Sequence, residues 1–105
     1  MSKPTNSALS QAIKFLSIRG YSKKELTSKL QHSEYTDEAI QQTIAYLVER
    51  GYLNDTALCK MLYEKYNAKK YGLKAISYKL IQHGIPKEII NDIVSEHDAE
   101  EEWQK

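Results

Sequence analysis

The chain repeats itself at a spacing of fifty residues, and this limits its fold more than any other feature. Shifted by fifty, Leu26 and Leu30 fall on Ile76 and Leu80, Ala39-Ile40 on Ile89-Ile90, and Ile44 on Val94. Tyr21 falls on Tyr71, Ser22 on Gly72, and Ala8, Ala12 and Leu16 fall on Leu58, Leu62 and Tyr66. Few of these pairs are identical; what recurs is the apolar framework. Self-similarity at such a period marks a supersecondary unit used more than once. The stretch Gly51-Tyr52-Leu53-Asn54-Asp55 is the joint between two copies.

Within each copy the apolar spacing is helical, and no segment alternates as a half-buried strand does. The first helix is expected from about Ser7 to Arg19, with Leu9, Ala12, Ile13 and Leu16 facing inward. Ser22 and Glu25 form the two ends of a capping box that opens the second helix, which carries Leu26 and Leu30 and stops near His32. Thr36 caps the third, whose stripe is Ile40, Ile44, Leu47 and Val48 before Gly51 ends it. In the second copy Asn54 or Asp55 caps a helix with Leu58, Met61, Leu62 and Tyr66 inward. The next begins near Gly72, shows Ile76, Leu80 and Ile81, and ends at His83-Gly84. Pro86 suits the first turn of the last helix, with Ile89, Ile90, Ile93 and Val94 as its stripe. The expected fold is all-α: two tandem three-helix repeats in an elongated, curved body. Its segments are a loose terminus at 1–6, repeats at 7–53 and 54–97, and a tail at 98–105.

With 105 residues, 41% of them apolar, the chain has enough apolar content for a soluble core. A single cysteine, Cys59, gives no internal disulfide and fits a reducing compartment. No apolar run reaches the ~20 residues of a membrane span, and the first residues lack a signal-peptide core. These features point to a cytoplasmic protein, expected to be a monomer. The net charge of +1 conceals a segregation. From Lys60 to Lys79 there are six lysines against one acid, Glu64. From Lys14 to Lys29 there are Lys14, Arg19, Lys23, Lys24 and Lys29 against Glu25. Acids gather at Glu34, Asp37, Glu38 and Glu49, and again from Asp92 to Glu102.

Catalytic chemistry finds no support in the residue pattern. His32, His83 and His97 have no second ligand at metal spacing, and two of them close helices, where a histidine can meet the helix dipole. Cys59 lies beside an apolar stripe, as a small packing residue does. The four glycines fall at helix ends, with no phosphate-binding loop among them. No enzyme, metal or cofactor is expected. The candidate site is instead the stretch where lysines and tyrosines interleave: Lys60, Tyr63, Lys65, Tyr66, Lys69, Lys70, Tyr71, Lys74, Tyr78 and Lys79. Lysines hold phosphates by charge, and tyrosine rings stack on bases or on a protein partner. Composition alone leaves equal room for the plain alternative, with rings at the core's edge and lysines merely solvated. Base reading by a helix–turn–helix is weakened because no short helix gathers Arg, Asn and Gln.

Gly51-Tyr52-Leu53-Asn54-Asp55, then Lys70-Tyr71-Gly72-Leu73-Lys74, Ile76, Leu80 and Gly84-Ile85, resemble the RecX family. So do Arg19, Ser22, Glu25-Leu26 and Lys29-Leu30. The resemblance covers roughly residues 8 to 97. It implies tandem three-helix repeats and a bacterial regulator that binds the RecA recombinase filament. Inhibition of strand exchange, ATP hydrolysis and coprotease activity is the usual effect. It also implies a third repeat, which would begin about where the tail at 98–105, with Trp103, lies. The family has no short signature to carry across, so the contact residues rest on charge and exposure. They are the stretch from Lys60 to Lys79 together with Lys14, Arg19, Lys23, Lys24 and Lys29, facing acidic recombinase surface or, weakly and without sequence preference, DNA phosphate. A stand-alone helical nucleic-acid-binding module is the competing reading, and a scaffold working through its acidic tail is a third.

Overall fold

Local capping sets where each helix begins. In the computed structural model, which describes residues 5–104 and the side chains of residues 7–96, Ser22 accepts from the amide of Glu25 at 3.1 Å. The Glu25 carboxylate returns to the amide of Ser22 at 3.0 Å, which completes the box ahead of α2 (Lys23–His32). Thr36 accepts from the amide of Ala39 at 3.1 Å, and Asp37 and Glu38 lie in the positive first turn of α3 (Asp37–Glu49). Ahead of them runs α1 (Thr5–Ile18), two residues longer at its start than the periodicity predicts. The second copy places α4 at Asp55–Ala68, α5 at Leu73–Gln82 and α6 at Lys87–Gln104. Each of these begins fifty residues after its counterpart, and the described residues contain no strand. Residues 1–4, and the side chains of His97 and Trp103, lie outside what is described.

Helix ends close in the left-handed manner that glycine suits. Gly51 has φ +78°, and the amide of Tyr52 reaches back to the carbonyl of Leu47 at 2.9 Å. Gly84, at φ +85°, closes α5 in the same way through Ile85 and Leu80. The matching position in the first copy is Glu34, also at positive φ, so the backbone shape persists without glycine. Asn54, not Asp55, precedes α4. Pro86 stands just before α6 rather than inside its first turn; its carbonyl accepts from the amides of Ile89 and Ile90.

The chain forms two compact units that part between Asn54 and Asp55. In the first, α1, α2 and α3 all touch one another around Ala12, Tyr21, Leu26, Leu30, Ile40, Ile44, Leu47 and Leu53. In the second, α4, α5 and α6 do the same around Leu58, Cys59, Leu62, Tyr63, Ile76, Leu80, Ile85, Ile90 and Ile93. Burying one such Leu or Ile stabilises by roughly 1.5–3 kcal/mol. Four residues expected inside are exposed: Ile13, Val48, Met61 and Ile81. Each sits one residue to the side of the buried stripe on its helix. Tyr63 moves the opposite way. The inner face of α4 runs through Leu58, Cys59, Leu62 and Tyr63, at helical spacing, so that ring belongs to the core.

Candidate functional site

The lysine- and tyrosine-rich stretch folds as the C-terminal half of α4, a turn, and most of α5. Lys60, Lys65, Lys69, Lys70 and Lys74 are exposed, and none forms a salt bridge with a described residue. Lys70 takes a positive φ (+66°) just past the end of α4, where its amide reaches the carbonyl of Asn67 at 2.9 Å. Lys79 is half-buried. Its ammonium lies 4.9 Å from the centre of the Tyr71 ring and 5.4 Å from that of Tyr66, distances at which a cation is held by a ring face.

The tyrosines divide into three kinds. Tyr63 is 1% exposed and cannot offer its ring to a partner, which corrects its place among the contact residues. Tyr66 is half-buried; its hydroxyl shares a 3.1 Å hydrogen bond with Nε2 of His83, tying the last turn of α4 to the end of α5. Tyr71 meets Tyr66 edge-on, with ring centres 5.8 Å apart, and stays 41% exposed. Tyr78 is more open still. The solvent-facing cluster is therefore Tyr71 and Tyr78 among Lys69, Lys70 and Lys74. The spacing of four between Cys59 and Tyr63 is the sequence signal that could have placed Tyr63 inside, and its reading as a contact residue passes it over.

In the first unit, Lys14, Arg19, Lys23, Lys24 and Lys29 are all exposed. Arg19 is nonetheless engaged. Its guanidinium lies 3.7 Å from the centre of the Tyr21 ring, pairs with Glu25 at 3.4 Å and donates to the Gly20 carbonyl at 2.9 Å. Tyr21 in turn stacks on Phe15 with centres 5.9 Å apart. Lys29 stands 5.8 Å over Phe15, as Lys79 stands over Tyr71 in the second unit.

The remaining reactive groups have structural surroundings. Cys59 is fully buried, and burial followed by the Asp55 carboxylate one turn earlier pushes its thiol up to about 11, away from the thiolate a nucleophile needs. His32 donates from Nδ1 to the Ser28 carbonyl at 2.7 Å within its own helix. Among the described residues no group of three or more His, Cys, Asp or Glu is arranged to hold a metal. None of the described helices is long and apolar enough to cross a membrane.

Comparison with known proteins gives this arrangement a family. A family model described as RecX, first three-helix domain, matches residues 8–56, which are α1 to α3 and the joint. The regulatory protein RecX of Prosthecochloris aestuarii is 30% identical over 96 residues, 90% of this chain. These matches support assigning the chain to the RecX family. The chain spans 64% of the length of that relative. The crystal structure of RecX from Lactobacillus salivarius superposes with a TM-score of 0.80 at 23% identity, over 86% of this chain and 59% of that one. A second crystal structure, of regulatory protein RecX, gives 0.78 at 20% identity over 88% and 47%. These two share the RecX fold of helical repeats.

Proposed function

We propose that this chain regulates the RecA recombinase by binding the RecA–DNA filament, most simply as an inhibitor of recombination, ATP hydrolysis and coprotease activity. The observation that carries the reading is the likeness to a regulatory protein RecX across 90% of the chain, together with the shared three-helix repeats. The regulator acts by binding rather than by catalysis, as a cytoplasmic monomer. Its contact surface is the set of cations on the first two helices of each repeat and the turn between them. Arg19, Lys24 and Lys29 recur fifty residues on as Lys69, Lys74 and Lys79, so each unit carries the same three positive positions. Contact at two units strengthens attachment through effective concentration, without one strong site. Bridging neighbouring subunits then hinders filament growth or the cycling that strand exchange requires.

Nucleic-acid binding without the recombinase is the second reading, favoured by the half-open Tyr71 ring among unpaired lysines. The two separate in one experiment. Binding to a preassembled RecA filament on single-stranded DNA is measured beside the same DNA alone, at low and near-physiological salt. Tight filament binding with weak, salt-sensitive DNA binding is the expected result. Equal binding to both favours the module, and the absence of binding to the filament overturns the regulator reading for this chain. The contact face is tested by reversing the charges of Lys69, Lys70 and Lys74, which is expected to weaken filament binding at least tenfold.

A further inference from the structure

The fifty-residue register allows the two repeats to be compared position by position, and their basic faces differ in kind. In the first, Tyr21 is 7% exposed, stacked on Phe15 and covered by Arg19, whose charge is met by Glu25. In the second, every one of those partners is replaced: Phe15 by Lys65, Arg19 by Lys69 and Glu25 by Ala75. The tyrosine at the matching position, Tyr71, is 41% exposed, with Lys79 beside it and no acid paired to Lys65, Lys69 or Lys74 among the described residues. The same scaffold is closed on itself in one copy and open in the other.

We propose that the repeats have divided the work: the face around Tyr71, Lys69 and Lys74 takes a single-stranded nucleic acid, while the matching face of the first repeat, its ring covered and its Arg19 met by Glu25, takes none and is left to the recombinase. The proposal rests on the basic-face reading above and names its partner. Ammonium groups flanking a half-open ring suit a strand whose bases stack and whose phosphates are paired. A carboxylate-rich protein surface would pair with the lysines but has no series of flat rings spaced along it to stack on Tyr71. The inference also assigns Glu25 a second role besides capping, as the group that meets the charge of Arg19.

The test uses the full chain and a fluorescein-labelled oligothymidylate, followed by anisotropy at low salt. The informative pair is Lys24→Glu against Lys74→Glu, two exposed residues at the same helical position. Lys74→Glu is expected to weaken binding at least fivefold and Lys24→Glu less than twofold. Ala75→Glu, which installs the first repeat's acid on an exposed position, is expected to weaken binding like Lys74→Glu while leaving the melting temperature unchanged or raised. Tyr71→Leu keeps an apolar contact for Tyr66 and removes the stacking ring; a loss of about fivefold or more is expected. Equal losses for the Lys24 and Lys74 variants overturn the division of work. A Tyr71→Leu variant that binds as the parent does overturns the stacking role of the ring, and a parent that does not bind the oligonucleotide overturns the nucleic-acid assignment. The same proteins are titrated against preassembled RecA filament. Filament binding without oligonucleotide binding sinks this inference and leaves the regulator reading standing; oligonucleotide binding without filament binding does the reverse.

Discussion

Thr43 lies on the inner face of α3, 1% exposed, and its hydroxyl has no hydrogen-bond partner among the described residues. A buried, unsatisfied hydroxyl costs ~1–3 kcal/mol relative to a paired one. The repeat register shows the apolar solution, because the matching residue in α6 is the buried Ile93. Thr43→Val keeps the branched shape and removes the oxygen. It is expected to stabilise the chain by about 1 kcal/mol, raising the melting temperature by several degrees. A lower melting temperature in a thermal melt would mean that the hydroxyl has a partner after all. Cys59 and Tyr63 make the complementary case. A pattern of apolar residues admits a neighbour on either side of the stripe, so Met61 and Tyr63, about 100° to either side of Leu62, are alternative ways to widen the inner face of α4. The pairing of Cys59 with Tyr63, four residues apart, decides it in favour of Tyr63.

Helix boundaries were legible in the sequence because capping is local. Ser22, Glu25 and Thr36 hold amides within three residues of themselves, so their spacing carries the whole signal. Which apolar residues face inward was less legible, since Ile13, Val48 and Ile81 differ from buried neighbours by one step, about 100° around the helix. Exposure of the candidate site was legible for the lysines other than Lys79 and not for the rings, because a tyrosine's burial depends on how three helices meet. The contrast between α2 and α5 yields a prediction at this scale. Ser22 caps α2 with its side chain, whereas Gly72, in nearly the same backbone conformation (φ −69°, ψ 161°), gives α5 no side-chain cap. A Cβ at Gly72 would meet nothing within 4 Å, and its negative φ suits any residue. Gly72→Ser is therefore expected to add a few tenths of a kcal/mol, and Ser22→Ala to remove about 1 kcal/mol. Urea denaturation of the two variants measures both signs. Destabilisation by Gly72→Ser would show that the α5 cap region needs the absence of a side chain at Gly72 for another reason.

At the scale of the whole molecule, a net charge of +1 predicts little attraction for a polyanion, yet the charges are sorted by helix. Apart from the half-buried Lys79, the lysines from Lys60 to Lys74 face solvent without paired acids among the described residues, while the acids of the second unit lie largely on α6. Association with a polyanion depends on how many cations displace its counterions, not on the sum over the protein. Four lysines engaged at the Tyr71 face (Lys65, Lys69, Lys70 and Lys74) give a slope of log K against log salt of about −3 on a single strand. Replacing Lys69 and Lys74 by Ala removes two of those contacts and is expected to flatten the slope by about 1.4. Titrations at four or five salt concentrations measure it. A variant with weaker binding but an unchanged slope would mean that the two lysines shape the site without touching phosphate. A parent slope near zero would mean that neutral contacts, centred on the rings, hold the partner, and the sorting of charge along the chain would then serve solubility.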